Sequence, residues 1–205
     1  RAGHARGNYA GEKIPTSLGV GFALLAMLMG LAGWAVLPGG TRGALAPLLA
    51  VVEGFCLLGF MDDAGAEREA GGIRGHLGRA LSGGGVSTAL LKAGFGCVLA
   101  LLVSAAWVPH ERWWMIPADA LIIALGANAV NMLDVRPGRA LKGYWAVFAA
   151  VVFGSAAAGM LPGVEVWFAP GTMYLFAPIL IWTICYAPVD FGRRGMMGDA
   201  GSNTL

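Results

Sequence analysis

The chain has 205 residues, of which 57% are hydrophobic and only 13% charged, and its mean hydropathy is +0.67. A soluble domain carries about a quarter charged residues, so this composition excludes an ordinary soluble enzyme, and a net charge of +2 gives nucleic acid no footing. The 33 glycines follow no Gly-X-Y period, which excludes collagen and fits small residues that let membrane helices approach closely.

Taken in chain order, six apolar runs are long enough to cross a bilayer, for which about 20 residues suffice. They are Ser17–Leu37, Gly43–Met61, Val86–Val108, Pro117–Leu133, Gly143–Leu161 and Gly171–Val189. None alternates as a barrel strand does, and backbone groups in lipid must then be satisfied within helices. The expected fold is all-α: a polytopic integral membrane bundle of about six transmembrane helices, forming one domain over residues 1–205. The first run is too long for a signal peptide and lacks a small-residue cleavage site. Cys56, Cys97 and Cys185 lie inside apolar runs without metal-ligand spacing and read as packed thiols.

Basic residues set the orientation. Arg1, Arg6 and Lys13 precede the first run, Arg68, Arg74, Arg79 and Lys92 surround the second connection, Arg136, Arg139 and Lys142 the fourth, and Arg193 and Arg194 follow the sixth. Only Arg42 and Arg112 fall on the other side, so both ends of the chain are expected in the cytoplasm. Trp107, Trp113 and Trp114 then form an interfacial belt at the outer surface.

This orientation brings Asp62, Asp63, Asp134, Asp190 and Asp199 to one face. Asn128, Asn131 and Asp134, spaced by three, track down one side of the fourth helix as it leaves the membrane. Carboxylates alone would repel each other, but interleaved with Arg and Lys they suit a hard cation such as Mg2+. That ion takes one or two carboxylates and completes its shell with water and phosphate oxygens, while basic groups hold the phosphates.

Four segments carry a family resemblance. "NYAGEKIPTSLGVGF" (8–22) is similar to an N-x-x-G-x-x-I-P-T-x-x-G entry loop, and "GFMDD" (59–63) to a double-aspartate motif. "NAVNMLDVRPGRALK" (128–142) is similar to an N-x-x-N-x-x-D-G-x-D-G-L-A loop, and "MGDAGSNTL" (197–205) to an M-G-D-x-G-S-x-x-L-G loop. In this order, and separated by paired spans, they resemble the polyprenyl-phosphate N-acetylhexosamine-1-phosphate transferases of bacterial cell-envelope and peptidoglycan synthesis. The resemblance implies a multi-pass enzyme of the bacterial cytoplasmic membrane. It would transfer a sugar-1-phosphate from a UDP-N-acetylhexosamine to polyprenyl phosphate and release UMP, with Mg2+ (or Mn2+) as cofactor. The implied partners are a UDP-amino sugar, polyprenyl phosphate, membrane lipids and, for a homodimer, a second copy of the chain.

Carried over residue by residue, the resemblance makes Asp62, Asp63 and Asp199 the catalytic set, with Asp199 and Asp63 on the metal. Asn128, Asn131, Asp134, Lys92, Arg139, Lys142 and Gly198 are the implied substrate-binding residues. After Asp134 the pattern departs: Val135, Pro137 and Arg139-Ala140 stand where the family has Gly, a second Asp and Leu-Ala, one carboxylate fewer. Arg136, Arg139 and Lys142 are expected to grip phosphate there instead. The Lys that follows the family's double aspartate is also replaced, with Glu67 and Arg68 in its vicinity, and Lys92 is the candidate substitute. Family members carry a helix before the entry loop and several after the M-G-D loop, so the chain is expected to be a fragment.

The remaining polar residues read as structural. His76 is expected to be solvated, Gly83–Gly85 a flexible re-entry, Glu53 a packed, protonated or hydrogen-bonded acid, and Asp190 a bystander outside every motif. A CDP-alcohol phosphotransferase would need a D-G-x-x-A-R…D-x-x-x-D array that is absent. The alternative that stays open is a non-catalytic polyprenyl-lipid-binding or transport protein derived from the same family.

Overall fold

A computed structural model describes residues 5–8, 10–64, 88–107, 112–157 and 170–205. The described residues form a small hairpin followed by seven helices. β1 (Ala5–Gly7) and β2 (Lys13–Pro15) pair antiparallel, with Arg6 opposite Ile14. Asn8 closes the turn, its Oδ1 accepting the N–H groups of Ala10 and Glu12 at 2.9 Å each, an Asx-type connection.

The helices are α1 (Val20–Val36), α2 (Gly39–Ala64), α3 (Thr88–Trp107), α4 (Met115–Leu133), α5 (Arg139–Ala157), α6 (Pro170–Phe191) and α7 (Gly198–Ser202). The first six fall on the six apolar runs, with shifted ends. α2 runs past Met61, so Asp62 and Asp63 occupy its last turn. α5 starts at Arg139 and puts Arg139 and Lys142 in its first turn. α6 continues through Asp190 to a stop at Arg193, whose φ is 57°; the Arg194 N–H then reaches back to the Val189 carbonyl at 2.9 Å. This left-handed cap satisfies a carbonyl that a helix end leaves open. The described residues are mostly helical, as expected; the hairpin and α7 come in addition, the first set by a turn residue and the second by tertiary contacts, and neither leaves a long apolar run to read.

α2 is the central element and touches α1, α3, α6 and α7, while α4 links α3 to α5. Phe22, Val52, Leu141, Tyr186 and Met197 form the buried core. Trp182 closes on Phe22 edge-on at 5.6 Å between centroids. The outward faces are apolar as well: Leu28, Leu31, Leu102, Ile122, Val147 and Phe153 are all exposed. Such a surface is costly in water and normal against lipid. Two helices, Leu45–Ala64 and Met115–Leu133, are long and apolar enough to cross a membrane by length and composition, which supports association with a membrane.

Glu53 packs within α2. Its Oε1 is buried and has no hydrogen-bond partner among the described residues. The expectations for Glu67, Arg68, His76 and Gly83–Gly85 lie outside the described residues, as do those for Arg1, Arg74 and Arg79.

Candidate functional site

One end of the bundle gathers the C-terminal ends of α2, α4 and α6, the start of α3, and α7. Two segments far apart in sequence build its floor. Leu18 N–H and Gly19 N–H donate to the carbonyls of Met196 (3.2 Å) and Met197 (3.0 Å), and Met196 N–H donates to Pro15 O at 2.8 Å. The entry segment and the M-G-D segment are thus laced together through their backbones. α7 then lies directly on α2, because Gly59 has no Cβ; one added there would overlap the Asp199 carbonyl.

The two adjacent aspartates do different work, since consecutive helical residues point about 100° apart. Asp63 is buried, 6% exposed, and aims at the first turn of α7. Its Oδ1 accepts the Asp199 N–H at 3.1 Å, and its Oδ2 accepts the Ala200 N–H at 3.2 Å and the Ser17 hydroxyl at 2.9 Å. Asp63 therefore caps amides that the start of a helix leaves open, and its oxygens are committed to protein donors. Gly198 is required beside it: its φ is 69°, and a Cβ would overlap Asp63 Oδ2. Ser17, also at positive φ (60°), supplies the third donor.

Asp62 faces the other way. Lys92 Nζ, from the foot of α3, lies 3.1 Å from Asp62 Oδ2 and 2.7 Å from Asp199 Oδ2. One ammonium therefore bridges two carboxylates that come from the second and seventh helices. Burial alone would raise the Asp199 carboxyl. Hydrogen bonds with Asp62 and Lys92, the Lys92 charge and a bond from Asn131 outweigh it and hold the group below the ordinary carboxylate range. Asn131 Nδ2 also donates to Asn203 Oδ1 at 2.9 Å, tying α4 to the end of α7. Asn203 is buried, and its own Nδ2 has no partner among the described residues.

Asp134, the C-cap of α4, opens a second acidic group. Burial, then the negative charges of Asp190, Asp199 and Asp63, push its carboxyl up to about 8, so it holds its proton at neutral pH. Asp190 is no bystander. It is 4% exposed and its Oδ2 accepts the Gly138 N–H at 2.7 Å, pinning the 134–138 turn to the end of α6. Asp134, Asp190, Arg136 and Arg193, together with Asn8, Ile14 and Met196, line an open cleft of about 360 Å³.

The structure thus brings Asp62, Asp63, Lys92, Asn131, Gly198 and Asp199 together, with Asp134 within electrostatic reach. It does not bring in three others. Asn128 is exposed and turns to the Met132 Sδ one turn along its own helix, at 3.6 Å. Arg139 is exposed, and Lys142 lies over the Phe191 ring, 5.5 Å from its centroid. Sequence reasoning gave no role to Ser17, Asp190 or Asn203. The first and third sit inside the quoted motifs at variable positions, and Asp190 carried no signal beyond its position at the end of an apolar run.

Among the described residues no group of three or more His, Cys, Asp and Glu side chains is arranged to hold a metal ion. A Mg2+ site asks less of the protein, one or two carboxylates with the rest water and substrate. Asp62 and Asp199, already converging on one positive charge, fit that demand; Asp63, spent on backbone amides, does not, and its expected metal role is revised accordingly. No protein-family model, curated protein or solved structure matches the chain.

Proposed function

We propose that the chain is a phosphoglycosyltransferase. It would move a sugar-1-phosphate from a UDP-N-acetylhexosamine to polyprenyl phosphate in a bacterial cytoplasmic membrane. In this reading all six long helices cross the bilayer, and the hairpin, Lys92, the 134–142 turn and the 190–205 segment share the cytoplasmic face. The observation that carries it is the Asp62–Lys92–Asp199 bridge at the end of an apolar bundle. A lipid phosphate arriving within the bilayer and a nucleotide arriving from the cytosol can meet only at such a depth.

The reaction forms a bond between a polyprenyl-phosphate oxygen and the β-phosphorus of the UDP-sugar. It breaks the bond from that phosphorus to the oxygen bridging to the α-phosphate, so UMP leaves. A divalent cation held by Asp62 and Asp199 would neutralise charge on the transferring phosphoryl group. Lys92 orients phosphate oxygens beside it. Asp63 and Gly198 fix α7 so that Asp199 stays on the Asp62 side, where hydrogen bonds with Asp62, Lys92 and Asn131 favour its ionised form. Arg136 and Arg193, in the neighbouring cleft, offer cations to the nucleotide's phosphates, while Asp134, protonated, adds no repelling charge there.

The test is UMP release from a UDP-amino sugar by the purified protein in detergent, with polyprenyl phosphate and Mg2+ each withheld in turn. Release that needs all three is expected. Lipid binding without UMP release would instead favour the non-catalytic alternative, for which Pro137 in the place of a carboxylate is the supporting observation.

A further inference from the structure

We propose that Lys92 is an exchangeable counter-ion: its ammonium fills the place between Asp62 and Asp199 that a divalent cation takes in the working site, and arrival of the cation releases it toward the incoming phosphate. The phosphate half rests on the transferase reading; the exchange half concerns the cation site alone.

Both contacts of Lys92 Nζ fall on Oδ2 atoms, at 3.1 Å and 2.7 Å, so the two carboxylates are turned toward a single point. A divalent ion held by Asp62 and Asp199 would draw on these same two carboxylates. An ammonium and a dication cannot share them, because like charges in contact repel strongly in a partly buried setting. Two neighbouring carboxylates repel one another. The Lys92 ammonium between them offsets that repulsion and holds the two side chains in place.

The lysine suits this task better than an arginine would. Its charge is a compact point on a flexible stem with three donors, and it makes no fixed two-pronged grip. It enters from α3, an element that contributes neither carboxylate, so it can leave without disturbing them. Its side chain is 23% exposed, which leaves a path outward. Asp63 offers it no second berth, since three protein donors already occupy that carboxylate.

The two views of Lys92 predict opposite signs. If it merely builds the site, removing it leaves cation affinity unchanged or weaker; if it competes with the cation, removing it strengthens binding. The experiment titrates Mn2+ by electron paramagnetic resonance into the full chain in detergent, for wild type, Lys92→Met and Lys92→Gln. Both variants are expected to bind Mn2+ at least tenfold more tightly and to release UMP at least a hundredfold more slowly at saturating Mn2+. In wild type, acylation of Lys92 followed by mass spectrometry should rise severalfold when Mn2+ is added. A folded variant with unchanged or weaker Mn2+ affinity overturns the exchange, as does acylation that Mn2+ leaves unchanged. The acylation result decides alone if the variants do not fold. Absence of saturable Mn2+ binding in wild type overturns it too. Tighter Mn2+ binding with full UMP release in Lys92→Met overturns the phosphate half only. Exchange in a wild type that releases no UMP leaves the exchange half standing and removes the transferase reading together with the phosphate half.

Discussion

Asp62 and Asp63 are chemically identical neighbours, and the structure predicts that the same substitution will affect them very differently. Asp63→Asn keeps one oxygen but turns an NH2 toward positions now occupied by donors. If the retained oxygen stays on the Asp199 amide, the Ser17 hydroxyl and the Ala200 N–H, at 2.9 Å and 3.2 Å, lose their acceptor. A hydrogen bond to a charged group contributes about 1.5–3 kcal/mol, and a buried donor left unpaired adds a desolvation penalty of similar size. The hydroxyl can rotate to another acceptor and the amide cannot, so the expected loss is about 3–5 kcal/mol. That is a large share of the roughly 5–15 kcal/mol that holds a typical domain together. Asp62→Asn removes a partly exposed ion pair to Lys92, with 40% of the Asp62 side chain accessible, and such pairs contribute about 0–1 kcal/mol. Thermal unfolding in detergent, followed by circular dichroism or intrinsic fluorescence, should place Asp63→Asn on the order of 10 °C below wild type. Asp62→Asn should fall within a few degrees of it, losing UMP release instead. Equal melting temperatures for the two variants would refute the capping role of Asp63 and with it the geometry that aims Asp199.

Asp199→Asn should abolish divalent-dependent UMP release, by a hundredfold or more, while leaving the fold intact, because the amide is nearly isosteric but lacks the charge that the cation needs. Asp190 is unsuitable as its control, being buried on the Gly138 amide; Asp119→Asn, at the opposite end of α4, should keep activity near wild type in the same assay. Burial and the neighbouring carboxylates push the Asp134 carboxyl up to about 8 in the folded state, from an ordinary value of 3.8. The folded state therefore holds more protons than the unfolded one between about pH 4 and 8, and stability falls as pH rises through that window. Asp134→Asn should remove this slope and be the more stable protein at pH 9, by a few kcal/mol; parallel melting curves across pH would sink the assignment. For topology, Glu12→Cys in a background without the native cysteines should resist an impermeant thiol reagent applied to intact cells, whereas Arg112→Cys should react. The reverse pattern would invert the proposed orientation.

The helices were legible because apolar runs report helices wherever lipid or a core must be faced, and six of the seven lie on such runs. Their ends were not. Asp62 and Asp63 look like loop residues because they are charged, yet α2 continues through them since their partners wait in α7. Reading the sequence named Asp62, Asp63, Lys92, Asn131, Gly198 and Asp199, which lie together, along with Asn128, Arg139 and Lys142, which do not, and it could not divide their work. Whether an aspartate caps a helix or faces a cation depends on a rotation of about 100° that composition does not register. The contribution of Asn203 was illegible for a related reason: its only signal is a contact with Asn131, 72 positions away.

The lacing of residues 15–19 to residues 196–197 also has a consequence for how the molecule comes into being. During synthesis Asp63 follows Ser17 but long precedes its other partners, since it waits 136 residues for the Asp199 amide. Lys92 can neutralise Asp62 in the meantime, whereas the two backbone amides that Asp63 accepts come only with α7. The capping segment thus acts as the final latch on an otherwise formed bundle, and contacts of such long sequence separation form late and slowly. A nascent chain halted before Met196 should carry its helices yet expose Asp63 and the unlaced entry loop, which gives membrane quality control a local mark of incompleteness. Pulse-labelled chains truncated at Gly192 and at Leu205 should then differ sharply in protease resistance at the entry segment, although they share all six long helices.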